Sequence, residues 1–274
     1  MADYSEDPHD VDVYAPRQSG DLRFVQAATA QGICRITLNR PPANVLSVEM
    51  MHEIASVLEG LEYEKSTRLV VLNAAGRYFS AGFEITDHLG DRAYLMLEGF
   101  RRIFDLLGKL DKPTLGVVGG AALGAGCMLA AGCDLVFAAQ SAKLGFPEIR
   151  GGVFNTVAAA LLPAIAGRKK AFEMLLLGNS LTAVEAERIG LVTRVVADES
   201  LDAEVAATVQ RFQESSAPVV QYTRRAIAEG LDLPGPDAIR NAEDVYLNQL
   251  MSTEDAEEGL RAILEKRRPT WKDR

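Results

Sequence analysis

The sequence predicts an α/β fold with a helical C-terminal region, and three observations support this prediction. Short apolar strands alternate with helical segments up to about Val196, a pattern typical of right-handed βαβ units. Strand character disappears beyond about Leu201, where only helical periodicity remains. The 274 residues, 48% of them hydrophobic, are enough to bury a substantial core in one domain. The predicted C-terminal helices are 201–214, 217–230, 235–250 and 253–267.

The first elements are predicted to be a hairpin and a helix. The strand-like runs LRFVQAA and ICRITL are separated by a turn at Gln31–Gly32. Asn39–Pro42 then halts the second run, because proline interrupts a strand's hydrogen bonding. Ser47 is placed to cap a helix whose apolar residues recur at helical spacing through about Tyr63.

The middle of the chain continues the alternation of strand and helix. Thr182 and Glu185 predict a capping box for a short helix that ends at Gly190. The loop at 76–85 fits neither helix nor strand throughout. The other predicted elements are a buried strand at 68–73, a helix at about 91–107 and a strand at 113–118.

The stretch from Gly119 to Glu148 carries the strongest sign of chemistry. It begins with four glycines in eight residues, which let the backbone turn tightly and approach another molecule closely. A strand that leads through such a turn into a helix aims free N–H groups at one point, which favours developing negative charge. A buried strand follows at 134–138, and Glu148 then arrives, directly after Pro147, on a later loop. This layout is typical of an enzyme that stabilises an oxyanion.

The glycine-rich turn is also compatible with a simple packing turn, which is common in α/β proteins. It does not match a dinucleotide-binding fingerprint, because Gly120, Ala122 and Ala125 break the G-x-G-x-x-G spacing. No Gly-Lys-Ser/Thr follows, so a P-loop is excluded. Cys127 lies outside any G-x-S-x-G nucleophile elbow and is predicted to be buried packing.

Composition narrows the class of protein further. The net charge of −9 argues against a nucleic-acid binder. The three cysteines are odd in number and lie in apolar stretches, which favours a reduced, cytoplasmic setting. Residues 1–20 are acidic without an apolar segment, so no signal peptide is predicted, and no stretch approaches the roughly 20 apolar residues of a membrane span.

Eight segments, in their order and spacing, together resemble the crotonase superfamily, the enoyl-CoA hydratase/isomerase group, from Leu22 onward. The matching segments are LNRP at 38–41, FSAG at 79–82, KP at 112–113, GGAALGAG at 119–126, CDLVFAA at 133–139, FPE at 146–148, LTAVEAERIGLV at 181–192 and TEDAEEGLRAILEKR at 253–267.

The resemblance implies a spiral of repeated ββα units that binds an acyl-CoA thioester and assembles as a homotrimer or a dimer of trimers. Residues 21–200 would form the crotonase-like α/β core, and residues 201–274 the helical region for oligomerisation and CoA contact. Residues 1–20 are expected to be a flexible lead-in. Beyond the CoA moiety of the substrate no cofactor is expected, and no His, Cys or carboxylate cluster has the spacing of metal ligands. Neither a nucleic acid nor a membrane is an expected partner.

The resemblance also implies which groups bind the substrate. In the family two backbone N–H groups hold the thioester oxygen, and position by position these belong to Phe83 and Ala125. Lys266, in a basic cluster at 266–268, is expected to contact the CoA nucleotide, often across a subunit boundary. A solvated helix end is the alternative for that cluster. The predicted CoA-binding residues are Ala43, Val45, Ala81, Phe83, Ile85, Ala125 and Lys266.

One catalytic position departs from the family pattern. Family hydratases commonly use two glutamates, and Glu148 matches the one that exchanges a proton with the α-carbon. Met128 occupies the position of the other, where it can neither accept nor donate a proton. Apolar surface beside Glu148 would raise the pKa of its carboxyl group towards the working range of an acid–base catalyst.

Three one-carboxylate hypotheses follow from this departure. Glu148 acts alone, as in the isomerase branch, moving a proton from one carbon of a dienolate to another. Alternatively Glu148 both activates water and relays the proton, with Asn155 or a loop residue orienting the water. In the third hypothesis a substitute is recruited from the loop after FSAG. The candidates there are Glu84, Asp87 and His88, for which structural or surface roles are the alternative.

Three further segments resemble alicyclic dienoyl-CoA hydratases such as cyclohexa-1,5-diene-1-carbonyl-CoA hydratase. They are PPANVLS at 41–47, DHLGDR at 87–92 and GVFNTVAAALLP at 152–163. The favoured function is therefore an acyl-CoA lyase of the enoyl-CoA hydratase type, with Glu148 as acid and base. An isomerase, a non-catalytic acyl-CoA-binding relative and a hydrolase that uses Cys127 are the alternatives.

Overall fold

A computed structural model of the chain describes residues 22–274, and the lead-in expected at residues 1–20 lies outside them. The strands are β1 Val25–Ala30, β2 Ile33–Leu38, β3 Leu69–Ala74, β4 Tyr78–Ser80, β5 Thr114–Val118, β6 Ala121–Leu123, β7 Leu135–Ala139, β8 Lys143–Gly145, β9 Ser180–Thr182 and β10 Arg194–Val196. The helices are α1 Val48–Glu62, α2 Arg92–Lys109, α3 Ala125–Ala131, α4 Thr156–Ala166, α5 Arg168–Leu177, α6 Ala183–Arg188, α7 Leu201–Gln213, α8 Ala217–Gly230, α9 Gly235–Asp244 and α10 Glu254–Leu264.

Successive pairs of strands are divided between two sheets. The larger sheet has the order β1-β2-β3-β5-β7-β10, and the smaller one has the order β4-β6-β8-β9. The consecutive units β3-β4-α2, β5-β6-α3 and β7-β8-α4 each place one strand in each sheet, with parallel neighbours from unit to unit. This arrangement confirms the predicted α/β spiral of ββα units, and helices α7 to α10 form the helical C-terminal region.

The core lies between the large sheet and the helices that cover it. Four consecutive residues of β3, Leu69 to Leu72, are buried, as expected of a parallel strand covered on both faces. Helices α1 and α2 pack on each other, and Phe100 of α2 is fully buried. None of the helices formed by residues 22–274 combines the length and the apolar character needed to cross a lipid bilayer.

Local signals in the sequence are confirmed at several element boundaries. The hairpin turn lies at Gln31–Gly32, and both residues adopt positive φ. Ser47 caps α1, since its hydroxyl accepts a hydrogen bond from the Met50 N–H. Thr182 and Glu185 form the predicted capping box of α6.

Two predicted elements differ from the structure. The glycine-rich turn contains a short strand, β6, whose residues Ala-Ala-Leu have no strand propensity and are held by pairing with β4 and β8. The helix predicted at 235–250 ends at Asp244 and continues as a π-helical turn over Val245–Gln249. Helical periodicity does not distinguish these two geometries.

Candidate active site

The smaller sheet brings Glu148 onto the glycine-rich turn. In the parallel pairing of β6 with β8, Leu123 lies opposite Gly145, and the Gly124 N–H donates to the Gly145 carbonyl at 2.8 Å. The chain then turns through the 3-10 segment Pro147–Gly151, which carries Glu148. A Cβ atom on Gly124 would fall 2.5 Å from Oε1 of Glu148, so the carboxyl group rests directly on the turn. The register of two short strands therefore sets the place of the carboxylate.

The loop after β4 packs against the start of α3. A Cβ atom on Gly82 would lie 3.8 Å from the Ala125 amide nitrogen, so the Gly82–Phe83 peptide is a neighbour of that amide. Leu46 bridges to Phe83 as in a parallel ladder, with the Leu46 N–H bonded to the Gly82 carbonyl and the Glu84 N–H bonded to the Leu46 carbonyl. This pattern turns the Phe83 N–H away from Leu46. Within residues 22–274 neither the Phe83 nor the Ala125 N–H donates a hydrogen bond.

The Glu148 carboxyl group lies in a partly dehydrated environment. Burial raises the pKa of this carboxyl group above its ordinary value, and hydrogen bonds from its own backbone and from Asn155 partly oppose the shift. The Asn155 Nδ2 donates to Oε1 at 3.4 Å. Oε2 is buried and accepts no hydrogen bond from the described residues. A carboxyl group of raised pKa with one unpaired oxygen is suited to taking up and releasing a proton.

Met128 and Cys127 both lie on α3 and are fully buried. Met128 adds no proton-transferring group to the site. Burial, aided by the charge of Glu148, raises the pKa of the Cys127 thiol far above its ordinary value. A neutral, buried thiol is a poor nucleophile, which agrees with the predicted packing role of Cys127 and gives no support to a hydrolase.

The three candidate substitutes after FSAG have other partners. Glu84 forms an ion pair with Arg40 at 2.8 Å. Asp87 is buried, accepts from the Val48 N–H at the start of α1 and pairs with Arg92 at 2.6 Å. These bonds explain both carboxylates as structural groups.

His88 is the remaining candidate, and its ring packs edge-on against Phe83. The two ring centroids are 5.7 Å apart, and Phe83 also contacts the buried Phe100 ring at 4.8 Å. The imidazole therefore helps to hold the residue whose amide was predicted to bind the thioester oxygen.

Most of the predicted CoA-binding positions lie on two adjoining segments. The Ala81 N–H donates to the Ala43 carbonyl at 2.9 Å, and Val45 precedes the residue that bridges to Phe83. Ile85 is 78% exposed at the end of the same loop. Among residues 22–274 no hydrogen bond or ion pair links the Lys266 side chain to these segments, and its contact with the CoA nucleotide stays a prediction.

Asn44 organises this region and was not singled out by the sequence analysis. It has a φ of 48°, its Oδ1 accepts from the Arg40 N–H, and its Nδ2 donates to the carbonyls of Ala75 and Tyr78. These bonds fix the 40–46 segment to the strand end before the FSAG loop. The sequence could have indicated this role, because an asparagine shortly after two prolines is a residue that tolerates a left-handed turn.

Comparisons with known proteins identify the family of this chain. The family model for enoyl-CoA hydratase/isomerase matches residues 28–274. A probable enoyl-CoA hydratase from Rhizobium meliloti is 34% identical over 242 residues, covering 87% of this chain and 94% of its own. A cyclohexa-1,5-dienecarbonyl-CoA hydratase from Thauera aromatica is 33% identical over 246 residues, covering 88% and 93%.

Solved structures of similar proteins have the same fold as this chain. A crystal structure of an enoyl-CoA hydratase from Geobacillus kaustophilus superposes with a TM-score of 0.88 at 27% identity, covering 92% of this chain and 98% of that one. The ββα spiral, the match over nearly the whole chain and the shared segments lead to one conclusion. The chain belongs to the enoyl-CoA hydratase/isomerase family of the crotonase superfamily.

Proposed function

We propose that this chain is an acyl-CoA lyase of the enoyl-CoA hydratase type, which adds water to an enoyl- or dienoyl-CoA. The observation that carries the proposal is the placement of Glu148 beside the turn that leads to the Ala125 amide. The Phe83 and Ala125 N–H groups find no acceptor within residues 22–274 and would hold the thioester oxygen. Two such donors stabilise the negative charge that develops on that oxygen when the substrate becomes an enolate.

In the proposed reaction Glu148 works in both directions. Its carboxylate removes a proton from water as the water oxygen bonds to the unsaturated carbon. The electron pair of the double bond moves to the thioester oxygen and forms the enolate. The protonated Glu148 then returns its proton to carbon, so that one water molecule has been added in total. Its raised pKa favours this exchange, because a partly dehydrated carboxylate is a stronger base towards the proton that it takes from water.

A second candidate is an enoyl-CoA isomerase in which Glu148 only moves a proton between two carbons. The observation that favours it is Met128, which is fully buried and supplies no second carboxylate. The relative from Thauera aromatica makes a ring dienoyl-CoA one substrate to test for either reaction.

The remaining parts of the proposal concern binding and assembly. The segments carrying Ala43, Val45, Ala81 and Ile85 would line the CoA path, and Lys266 would meet the nucleotide phosphates from a neighbouring subunit. Exposed apolar side chains on α5 and α10, among them Leu176 and Ile263, support assembly as a homotrimer or a dimer of trimers.

The test measures water addition and solvent-deuterium exchange at the α- and γ-carbons over a panel of enoyl- and dienoyl-CoA esters. Native protein is compared with Glu148→Gln and with Glu173→Gln, the same change at a half-exposed position paired with Lys170. We expect Glu148→Gln to lose roughly 10²- to 10⁴-fold in rate and Glu173→Gln to match the native protein. Exchange without hydration favours the isomerase. Binding of the esters with neither reaction indicates a non-catalytic relative and overturns the proposal.

A further inference from the structure

Asn155 is held in one orientation by the helix that it begins. It is the N-cap of α4, only 1% of its surface is exposed, and its Oδ1 accepts from the Ala158 N–H at 2.9 Å. A backbone N–H can only donate, so the amide oxygen must face the helix and the amide nitrogen must face the other way. That nitrogen lies 3.4 Å from Oε1 of Glu148. The helix cap therefore fixes a hydrogen-bond donor on the carboxyl group.

The two oxygens of Glu148 are consequently not equivalent. Oε1 receives the Asn155 amide and lies over Gly124, while Oε2 is buried and accepts no hydrogen bond from the described residues. Oε2 is closed to solvent, so among residues 22–274 the Asn155 donor is the side-chain hydrogen bond that sets the orientation of this carboxyl group.

We propose that Asn155 is a positioning residue that holds Oε1 of Glu148 and so fixes the orientation of the carboxyl group that exchanges the proton. This inference rests on the proposed function of Glu148. This role differs from the sequence-based hypothesis that Asn155 orients water, because here the amide donates directly to the carboxyl group while its oxygen caps the helix.

Two other titratable side chains bear on this carboxyl group. Cys127 is fully buried with a thiol pKa far above its ordinary value, so it stays neutral over the working range. Arg150, on the same 3-10 turn, donates to Asn179 at 2.9 Å rather than to Glu148. The donor from Asn155 favours the charged carboxylate, and its removal should raise the pKa of Glu148 further.

The experiment separates two roles of Asn155, which donates a hydrogen bond to Glu148 and caps helix α4. In Asn155→Ser and Asn155→Asp the new side chain can still accept from the Ala158 N–H, but neither carries an amide donor for Glu148. Asn155→Ala removes both functions. We expect the serine variant to keep its unfolding midpoint and its KM, to lose about 10- to 100-fold in kcat, and to move the acidic limb of its pH profile upward. The aspartate variant should move that limb further, because it adds a like charge.

A second readout does not depend on turnover. Protein labelled with ¹³C at the glutamate carboxyl carbon is titrated, and the Glu148 resonance is identified by its loss in Glu148→Gln. We expect this resonance to titrate at higher pH in Asn155→Ser than in the native protein. An unchanged titration together with an unchanged kcat overturns the inference and leaves Asn155 as a helix cap, in which case only Asn155→Ala loses stability. If Glu148→Gln itself keeps full activity, the proposed function fails instead.

Discussion

The Cα atom of Gly124 lies directly against the carboxyl group of Glu148, with no space for a side chain between them. A Cβ atom there would be 2.5 Å from Oε1 and 2.8 Å from Cδ. The residue also adopts a φ of +54°. Both the turn before α3 and the position of the carboxylate thus depend on a hydrogen in place of a methyl group.

Gly124→Ala is therefore expected to displace Glu148 and to lower kcat by about 10²-fold, since small displacements of a reacting group are costly. Gly90→Ala is the matched control, because Gly90 has a φ of +56° and open space around its would-be Cβ. Both variants place an alanine at a similar positive φ, so comparing kcat at equal fractions folded separates the clash with Glu148 from the general cost of that φ. Equal activity of the two variants would contradict the assigned position of the carboxylate.

Ala125→Pro is expected to remove one oxyanion donor while α3 still forms. Ala125 is the first residue of that helix, where proline is tolerated and its missing N–H breaks no helical hydrogen bond. We expect kcat to fall by about 10²- to 10³-fold, the effect of losing one such donor. Ala125→Gly keeps the N–H and serves as the control. If the proline variant folds, by circular dichroism, and retains native kcat, the thioester oxygen is not bound by this amide.

The raised pKa of Glu148 predicts a pH-dependent stability difference. A carboxyl group whose folded-state pKa lies above its unfolded value stabilises the fold below the unfolded value, and this contribution is lost as the pH rises through the folded-state value. Glu148→Gln removes the titration but keeps an oxygen that can accept from Asn155. We expect it to unfold at a higher temperature than the native protein at about pH 8, and with no advantage at about pH 4. A constant difference across this range would argue against a dehydrated carboxyl group.

Lys266→Ala is expected to raise KM for CoA esters several-fold with little change in kcat, as is typical when only uniform binding is lost. The increase should shrink at high ionic strength, because salt screens an exposed charge. Lys109→Ala, at an exposed position in the last turn of α2, is the control. The same KM in both variants would show that Lys266 does not bind CoA and would leave the basic cluster as a solvated helix end.

The fold could be predicted from the sequence because the sequence patterns that indicate it are either local, such as helix caps, or shared with a whole family. The cap at Ser47 and the capping box of α6 depend on neighbouring residues alone, and both are confirmed. Strand β6 could not be predicted, since its residues have no strand propensity and pair only through tertiary contacts.

The candidate groups could be named from the sequence, but their bonds could not. Glu148 was indicated by the stretch at 119–148, and Phe83 and Ala125 came from the family resemblance, whereas the contact of Glu148 with Gly124 needed coordinates. The bond from the Val48 N–H at the start of α1 to Asp87 is likewise a long-range contact, which no window of sequence around Asp87 contains.

Strands β4, β6 and β8 lie side by side in the smaller sheet, and the chain that leaves each of them supplies one part of the site. The segments after β4 and β6 carry Phe83 and Ala125, and the segment after β8 carries Glu148. A slip of one residue in either ladder would turn the strand side chains to the opposite face and displace the segments that follow. The placement of all three groups therefore depends on the same two short ladders, whereas residues 128 and 155 lie outside them.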